Sequence, residues 1–183
     1  MPFEIDPQQI IAFVKAHQAY APLIVFLIAA GKTVIGLAAF LPVTILLYGI
    51  GGLLAASGAP LMPSFIACWM GASLGFSVMY LVGASFGPQL LMLPPLLRHA
   101  GAVNTVLGTF RRWGAFGVIA GEFLFSLRVL VPILAGVTRL APVPFMIANL
   151  IGSALWTVGF FLPGYLMVSS AWFQAKFPGL VVP

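Results

Sequence analysis

Over most of this chain apolar residues do not alternate with polar ones; they run in long blocks separated by glycine, proline or an isolated charge. Residues 8–19 are the exception, with apolar positions at helical spacing. Residues 21–30 (APLIVFLIAA) continue as an unbroken apolar run that stops at Gly31 and Lys32. This order predicts a helix that begins at an interface and then enters a membrane. Residues 33–58 (TVIGLAAFLPVTILLYGIGGLLAASG) are apolar but interrupted by Gly36, Pro42, Gly49, Gly51 and Gly52. A mid-segment proline removes a backbone hydrogen bond, so a broken or re-entrant hairpin is expected here. At membrane depth that geometry survives only where it is buried in protein or lines a wet cavity.

Residues 64–86 (SFIACWMGASLGFSVMYLVGASF) have the length of a span, and Gly71 and Gly75 give them a small face for close helix contact. Residues 88–114 hold the Pro94-Pro95 break and then Arg98, Arg111 and Arg112 with no acidic residue. Their positive charge predicts a cytoplasmic location. Two readings stand for this stretch: part of it lies on headgroups, or it is a plain connecting loop. A second interrupted apolar stretch, 115–141, carries Glu122, Arg128, Pro132, Gly136 and Arg139. A last span over 144–168 carries Asn149, Trp156 and Tyr165, and the tail beyond it has no clear placement.

The predicted fold is therefore an all-α integral membrane protein forming a single membrane domain over 1–183. Repeat 1 covers about 20–87, the basic loop 88–114, and repeat 2 about 115–170. Two broken segments at corresponding places in two halves point to an inverted repeat, with two re-entrant hairpins facing each other at the working site. A purely structural bundle fits the same pattern.

Composition supports the membrane reading. Of 183 residues 62% are hydrophobic and 6% charged, where soluble domains carry about 25% charged residues. The N-terminal MPFEIDPQQIIAFVKAHQAY lacks the features of a secretory signal, so the mature chain is expected to begin there. A single cysteine, Cys68, excludes an internal disulfide. The net charge of +5 comes from eight basic and three acidic residues, too dispersed for a nucleic-acid surface. No metal or cofactor is expected. An intramembrane enzyme has little material, because His17 and His99 lie outside the broken segments and Ser126 has no visible base.

The charges inside apolar stretches carry the functional signal. Each costs about 2.5–3.5 kcal/mol at the centre of a span on insertion scales, so such residues pair or face water. On one regular helix Glu122 and Arg128 would sit about 120° apart around the axis and be poor partners. Either the helix breaks between them or each finds a partner elsewhere. Lys32, at the junction with the first broken segment, is the cation outside this stretch in a comparable place. A cross-repeat Lys32–Glu122 ion pair, acting as gate or latch, is the expectation, against the plainer reading that Lys32 snorkels to headgroups. Arg128 would then face a cavity with a free positive charge, and a planar guanidinium binds phosphate oxygens through two parallel hydrogen bonds. Arg139 is either a second phosphate contact at the opposite mouth or an interfacial anchor. Asn149 either bonds exposed backbone of a broken segment or ties two spans together. Pro42, Thr44, Pro132 and Gly136 complete the broken-segment candidates.

Several stretches resemble the DedA family, also called the SNARE-associated or VTT-domain superfamily. They are AAFLP (38–42), GGLLAASG (51–58), YLVGASFG (80–87), FRRWG (110–114), GEFLFSLRVLVPILAGVTRL (121–140), and the final span with Trp156 and GY (164–165). Arg128, Pro132 and Ala135-Gly136 match the family's signature in the second broken segment. Glu122 stands where that signature usually has its first arginine, and Lys32 where the family usually has an embedded glutamate. Thr44 and Phe76 fall at two further positions that are usually acidic or polar. The first two changes together read as a charge exchange, which a cross-repeat pair would survive.

The resemblance implies a lipid carrier with facing re-entrant hairpins in the bacterial inner membrane. An anionic phospholipid or undecaprenyl phosphate would be the cargo, moved by flipping or scrambling. An ion-coupled carrier of a small solute is the alternative, and it needs a titratable carboxylate in the path. Membrane lipids are the expected partners, and a homo-oligomer through small-residue helix faces stays open.

Overall fold

The computed structural model describes residues 12, 15–34, 43–92, 100–123, 128 and 130–177. Every regular element among them is helical. A 3-10 turn at Gln18–Tyr20 leads into α1 (Ala21–Val34), followed by α2 (Val43–Ala56) and α3 (Leu61–Phe86). A second 3-10 stretch, Gly87–Met92, precedes α4 (Ala100–Trp113), α5 (Phe116–Glu122), α6 (Leu130–Val137), α7 (Pro142–Phe160), α8 (Leu162–Ser169) and α9 (Ala171–Lys176). Pro42 and residues 35–41 lie outside the described residues. So does the side chain of Thr44, whose backbone is in the first turn of α2.

Two helical stretches, Leu61–Met92 and Pro142–Ser169, are long and apolar enough to cross a membrane. Their exposure pattern is the reverse of a soluble helix. On α3 the outward stripe is Met62, Ile66, Met70, Leu74 and Leu81, while Ser64, Ser73 and several glycines point inward. On α7, Ile147, Ile151, Leu155 and Val158 are exposed, and Asn149, Ser153 and Thr157 are buried. Contiguous exposed apolar stripes of this kind are what a hydrocarbon surround accepts and water does not.

The second long stretch is not one straight rod. Pro163 has no N–H to give the carbonyl of Gly159 four residues back, and the Tyr48 hydroxyl of α2 donates to that carbonyl instead, at 3.3 Å. The bend between α7 and α8 is thus completed by a side chain from the first half. Pro132 causes no such break, because it lies in the first turn of α6, where a missing N–H leaves no intrahelical bond unmade.

Packing interleaves the two halves. α1 packs on α3 and α5 on α7, whereas α2 packs on α8 and α6 on α3. Glycines make both cross-half contacts, and their registers match. On one side the Tyr48 carbonyl fills the space where Gly164 would carry a Cβ, and Gly51, three residues on from Tyr48, lies against the Phe161 carbonyl and the Tyr165 amide. On the other, the Ile133 carbonyl fills the Cβ space of Gly83, and Gly136, three residues on from Ile133, lies against the Tyr80 carbonyl and the Ala84 amide. In both contacts the carbonyl and amide belong to residues three before and one after the partner glycine.

Two apolar cores result. One joins Val103, Val106 and Phe110 of α4 and Val118, Val131 and Leu134 to Phe76 and Tyr80 of α3. The other joins Val25, Ala29, Leu47 and Leu54 of the first half to Trp156 of α7 and to Phe161. Most of the stretch expected as a basic loop is therefore structured. Residues 100–113 form an amphipathic helix whose Val103, Val106 and Phe110 are buried and whose Arg111 and Arg112 are exposed.

The small face of α3 is also used within the chain. A Cβ on Gly71 would meet the Phe26 carbonyl of α1, and Gly75 is buried as well. At Gly71 the small face is thus used for packing within the chain, one of the two readings left open by the sequence.

Candidate functional site

Three charged side chains are buried where the two cores meet. Lys32 is 6% exposed, Arg128 7% and Glu122 1%. The helix breaks between Glu122 and Arg128: α5 ends at Glu122, and α6 does not begin until Leu130. Freed from one helical axis, the Arg128 Nη2 comes to 3.6 Å from Glu122 Oε2. The cross-repeat pair expected from the sequence is therefore corrected: among the described residues, the ion pair at Glu122 is made by Arg128, not Lys32.

Lys32, in the last turn of α1, places its ammonium 3.1 Å from the ring centroid of Trp156. The Arg128 guanidinium carbon lies 4.2 Å from the Trp156 ring centroid and 5.3 Å from that of Phe76. Phe76 belongs to one core and Trp156 to the other. Arg128 thus bridges the two cores. A cation against an aromatic face gains up to about 2 kcal/mol or more when desolvated. That attraction offsets part of the burial cost without neutralising the charge.

α7 supplies the polar floor. Asn149, Ser153 and Trp156 follow at i, i+4 and i+7 and so share one face. The Ser153 hydroxyl lies 3.0 Å from Glu122 Oε1 and 3.1 Å from Asn149 Oδ1. The Asn149 amide donates to the Ser73 carbonyl at 3.0 Å and to the Ser77 hydroxyl at 3.2 Å. Asn149 therefore ties α7 to α3, the second of its two sequence readings, rather than serving broken-segment backbone. Gly152 makes room beside it, since a Cβ there would meet Glu122 Oε1 at 2.8 Å.

Arg139 is exposed beyond the C-terminal end of α6, in the left-handed region at φ 52°. The structure does not bring it to Arg128, which precedes the other end of that helix. Pro132 and Gly136 are buried in α6, Gly136 at the contact with α3. Trp156, Phe76 and Ser153 are the residues that sequence reasoning left out of the site. The 149–153–156 spacing on one helical face was the available signal.

Counted at formal charges, two cations and one carboxylate give the cluster a net +1. Its hydrogen bonding is also incomplete: Arg128 Nη2 and Glu122 Oε2 face each other at 3.6 Å, beyond hydrogen-bond distance, and neither they nor the Ser73 hydroxyl has a hydrogen-bond partner among the described residues. A buried guanidinium with an unsatisfied donor and a surplus positive charge is suited to an anion with several acceptor oxygens.

Comparison with known proteins finds relatives among membrane proteins. The chain is similar to the inner membrane protein YabI of Escherichia coli, at 26% identity over 84% of this chain and 61% of the relative. It is similar to the inner membrane protein YohD of the same organism, at 29% identity over 82% of this chain and 71% of the relative. A shorter match, 38% identical over 33% of this chain and 30% of the relative, is to undecaprenyl phosphate transporter A of Staphylococcus aureus. The chain thus spans only about three-fifths of the length of YabI. No solved structure matches. Residues 21–166 match the VTT domain, and the chain belongs to the VTT-domain (DedA) family of membrane proteins.

Proposed function

We propose that this protein carries an anionic phospho-lipid across a bacterial inner membrane, by flipping or scrambling, with Arg128 as the phosphate contact. The carrying observation is the buried, net-positive cluster in which Arg128 Nη2 has no hydrogen-bond partner among the described residues. Its position favours transport, because a site between two interleaved halves is reached from either side when the halves rock. The matched glycine contacts of α2 with α8 and of α6 with α3 support an inverted repeat as the basis for that rocking. The name of the Staphylococcus aureus relative supports a polyprenyl phosphate as cargo. The reading is of a carrier with no covalent step. It has residues 88–114 on the cytoplasmic side, where Arg111 and Arg112 of α4 meet anionic headgroups and Arg139 serves as an interfacial anchor.

The test is headgroup translocation in proteoliposomes. Arg128→Ala is expected to lose lipid movement while keeping the wild-type helical content and elution volume. A folded Arg128→Ala protein that transports normally contradicts the assignment.

A further inference from the structure

The carrier reading uses Arg128 alone, yet a second buried cation lies beside it. Lys32 and Arg128 come from opposite halves of the chain and rest against the same Trp156 ring, at 3.1 Å and 4.2 Å from its centroid. Adding those distances puts the two charges within about 7 Å of each other. Glu122 is a single carboxylate beside two cations, and its ion-pair contact among the described residues is with Arg128. Lys32 is held on the indole, where it gains attraction without losing its charge.

A ligand that answers this arrangement needs negative charge and acceptor oxygens pointing in two directions. A carboxylate offers two oxygens in one plane. A tetrahedral phosphate, with hydrogen bonds of about 2.8 Å at two of its oxygens, bridges donors at this separation.

We propose that Lys32 and Arg128 form a two-cation seat for a single phosphate group, one cation from each half, with Trp156 as the positioning residue that keeps Lys32 off Glu122. This rests on the reading of Arg128 as a phosphate contact. It adds that the phosphate is gripped from both halves at once, so that its arrival and departure are linked to their relative movement.

The test is calorimetric titration of the protein in phosphatidylcholine nanodiscs with short-chain phosphatidic acid and, separately, with inorganic phosphate. The variants are Lys32→Gln, Lys32→Arg, Arg128→Gln, Trp156→Phe and Trp156→Leu, each checked for wild-type helical content and elution volume. Phosphatidic acid is expected to bind the wild type. Lys32→Gln and Arg128→Gln each weaken it roughly tenfold or more, or about 1.4 kcal/mol. Lys32→Arg and Trp156→Phe, which keep the charge and the aromatic face, should stay within about threefold of wild type. Trp156→Leu keeps bulk but not the face, and it should weaken binding as Lys32→Gln does.

If inorganic phosphate binds with the same dependence on Lys32, the seat stands and its ligand extends to free phosphate. If Lys32→Gln binds as wild type while Arg128→Gln is impaired, the two-cation seat is overturned and the Arg128 contact survives. If Arg128→Gln also binds normally, or the wild type binds neither probe, both fall.

Discussion

At the scale of single residues, Glu122 decides how the site is held. Among the described residues it is the one carboxylate at the cluster, gripped by Ser153 on one oxygen and facing Arg128 on the other. Removing one partner of a buried pair typically costs about 3–5 kcal/mol, because the other charge is left uncompensated. Glu122→Ala is therefore predicted to lower the thermal unfolding midpoint in detergent far more than substitution of an exposed basic residue such as Arg111. Equal midpoints for the two variants would show that Glu122 does not hold the cluster. Gly152→Ala should act in the same direction, more weakly, by pushing on the Glu122 carboxylate. The charged positions were legible in the sequence because ionisable residues in apolar runs are costly and few. Their pairing was not, because it turned on where the helix ended. With α5 closing at Glu122, the ion pair described at that carboxylate is with Arg128 rather than Lys32. Trp156 was passed over because an aromatic in a span is ordinarily core, and nothing local marks the one that two cations approach.

At the scale of elements, the joints between the halves are built from glycine. A Cβ at Gly51, Gly83, Gly136 or Gly164 meets backbone of the partner helix, which has no rotamer through which to yield. Overpacking of this kind costs about 1–3 kcal/mol, occasionally more. Gly136→Ala and Gly51→Ala are predicted to lower the unfolding midpoint measurably, whereas Gly49→Ala and Gly159→Ala, with open space around the new methyl, should leave it unchanged or raise it slightly. Similar behaviour of all four variants would remove the close-contact account. The interruptions at Gly51 and Gly136 were visible in the sequence as weak points of apolar segments. Their use as seats for a neighbouring backbone carbonyl was not, because the partners Tyr48–Gly164 and Ile133–Gly83 are far apart along the chain. The helical character of 100–113 was also under-read: its buried positions Val103, Val106 and Phe110 are spaced three and four apart, but the charge of the stretch drew attention to the loop reading.

At the scale of the whole molecule, apolar faces turned outward and a charged cluster turned inward are the pattern of a membrane protein. Orientation is testable on a background with Cys68→Ser: a cysteine at Thr105, exposed on α4, is predicted to react with a membrane-impermeant maleimide in inverted inner-membrane vesicles and not in intact spheroplasts. The opposite labelling pattern would reverse the assigned topology. The measurement that bears most directly on the central claim is translocation of a fluorescent anionic phospholipid in proteoliposomes holding wild type, Arg128→Lys or Arg128→Ala at equal protein content. The account predicts movement by wild type, reduced movement by Arg128→Lys, which keeps the charge but loses the planar fork, and the protein-free baseline for Arg128→Ala. Wild-type movement at that baseline, or Arg128→Ala moving lipid at the wild-type rate, would contradict it.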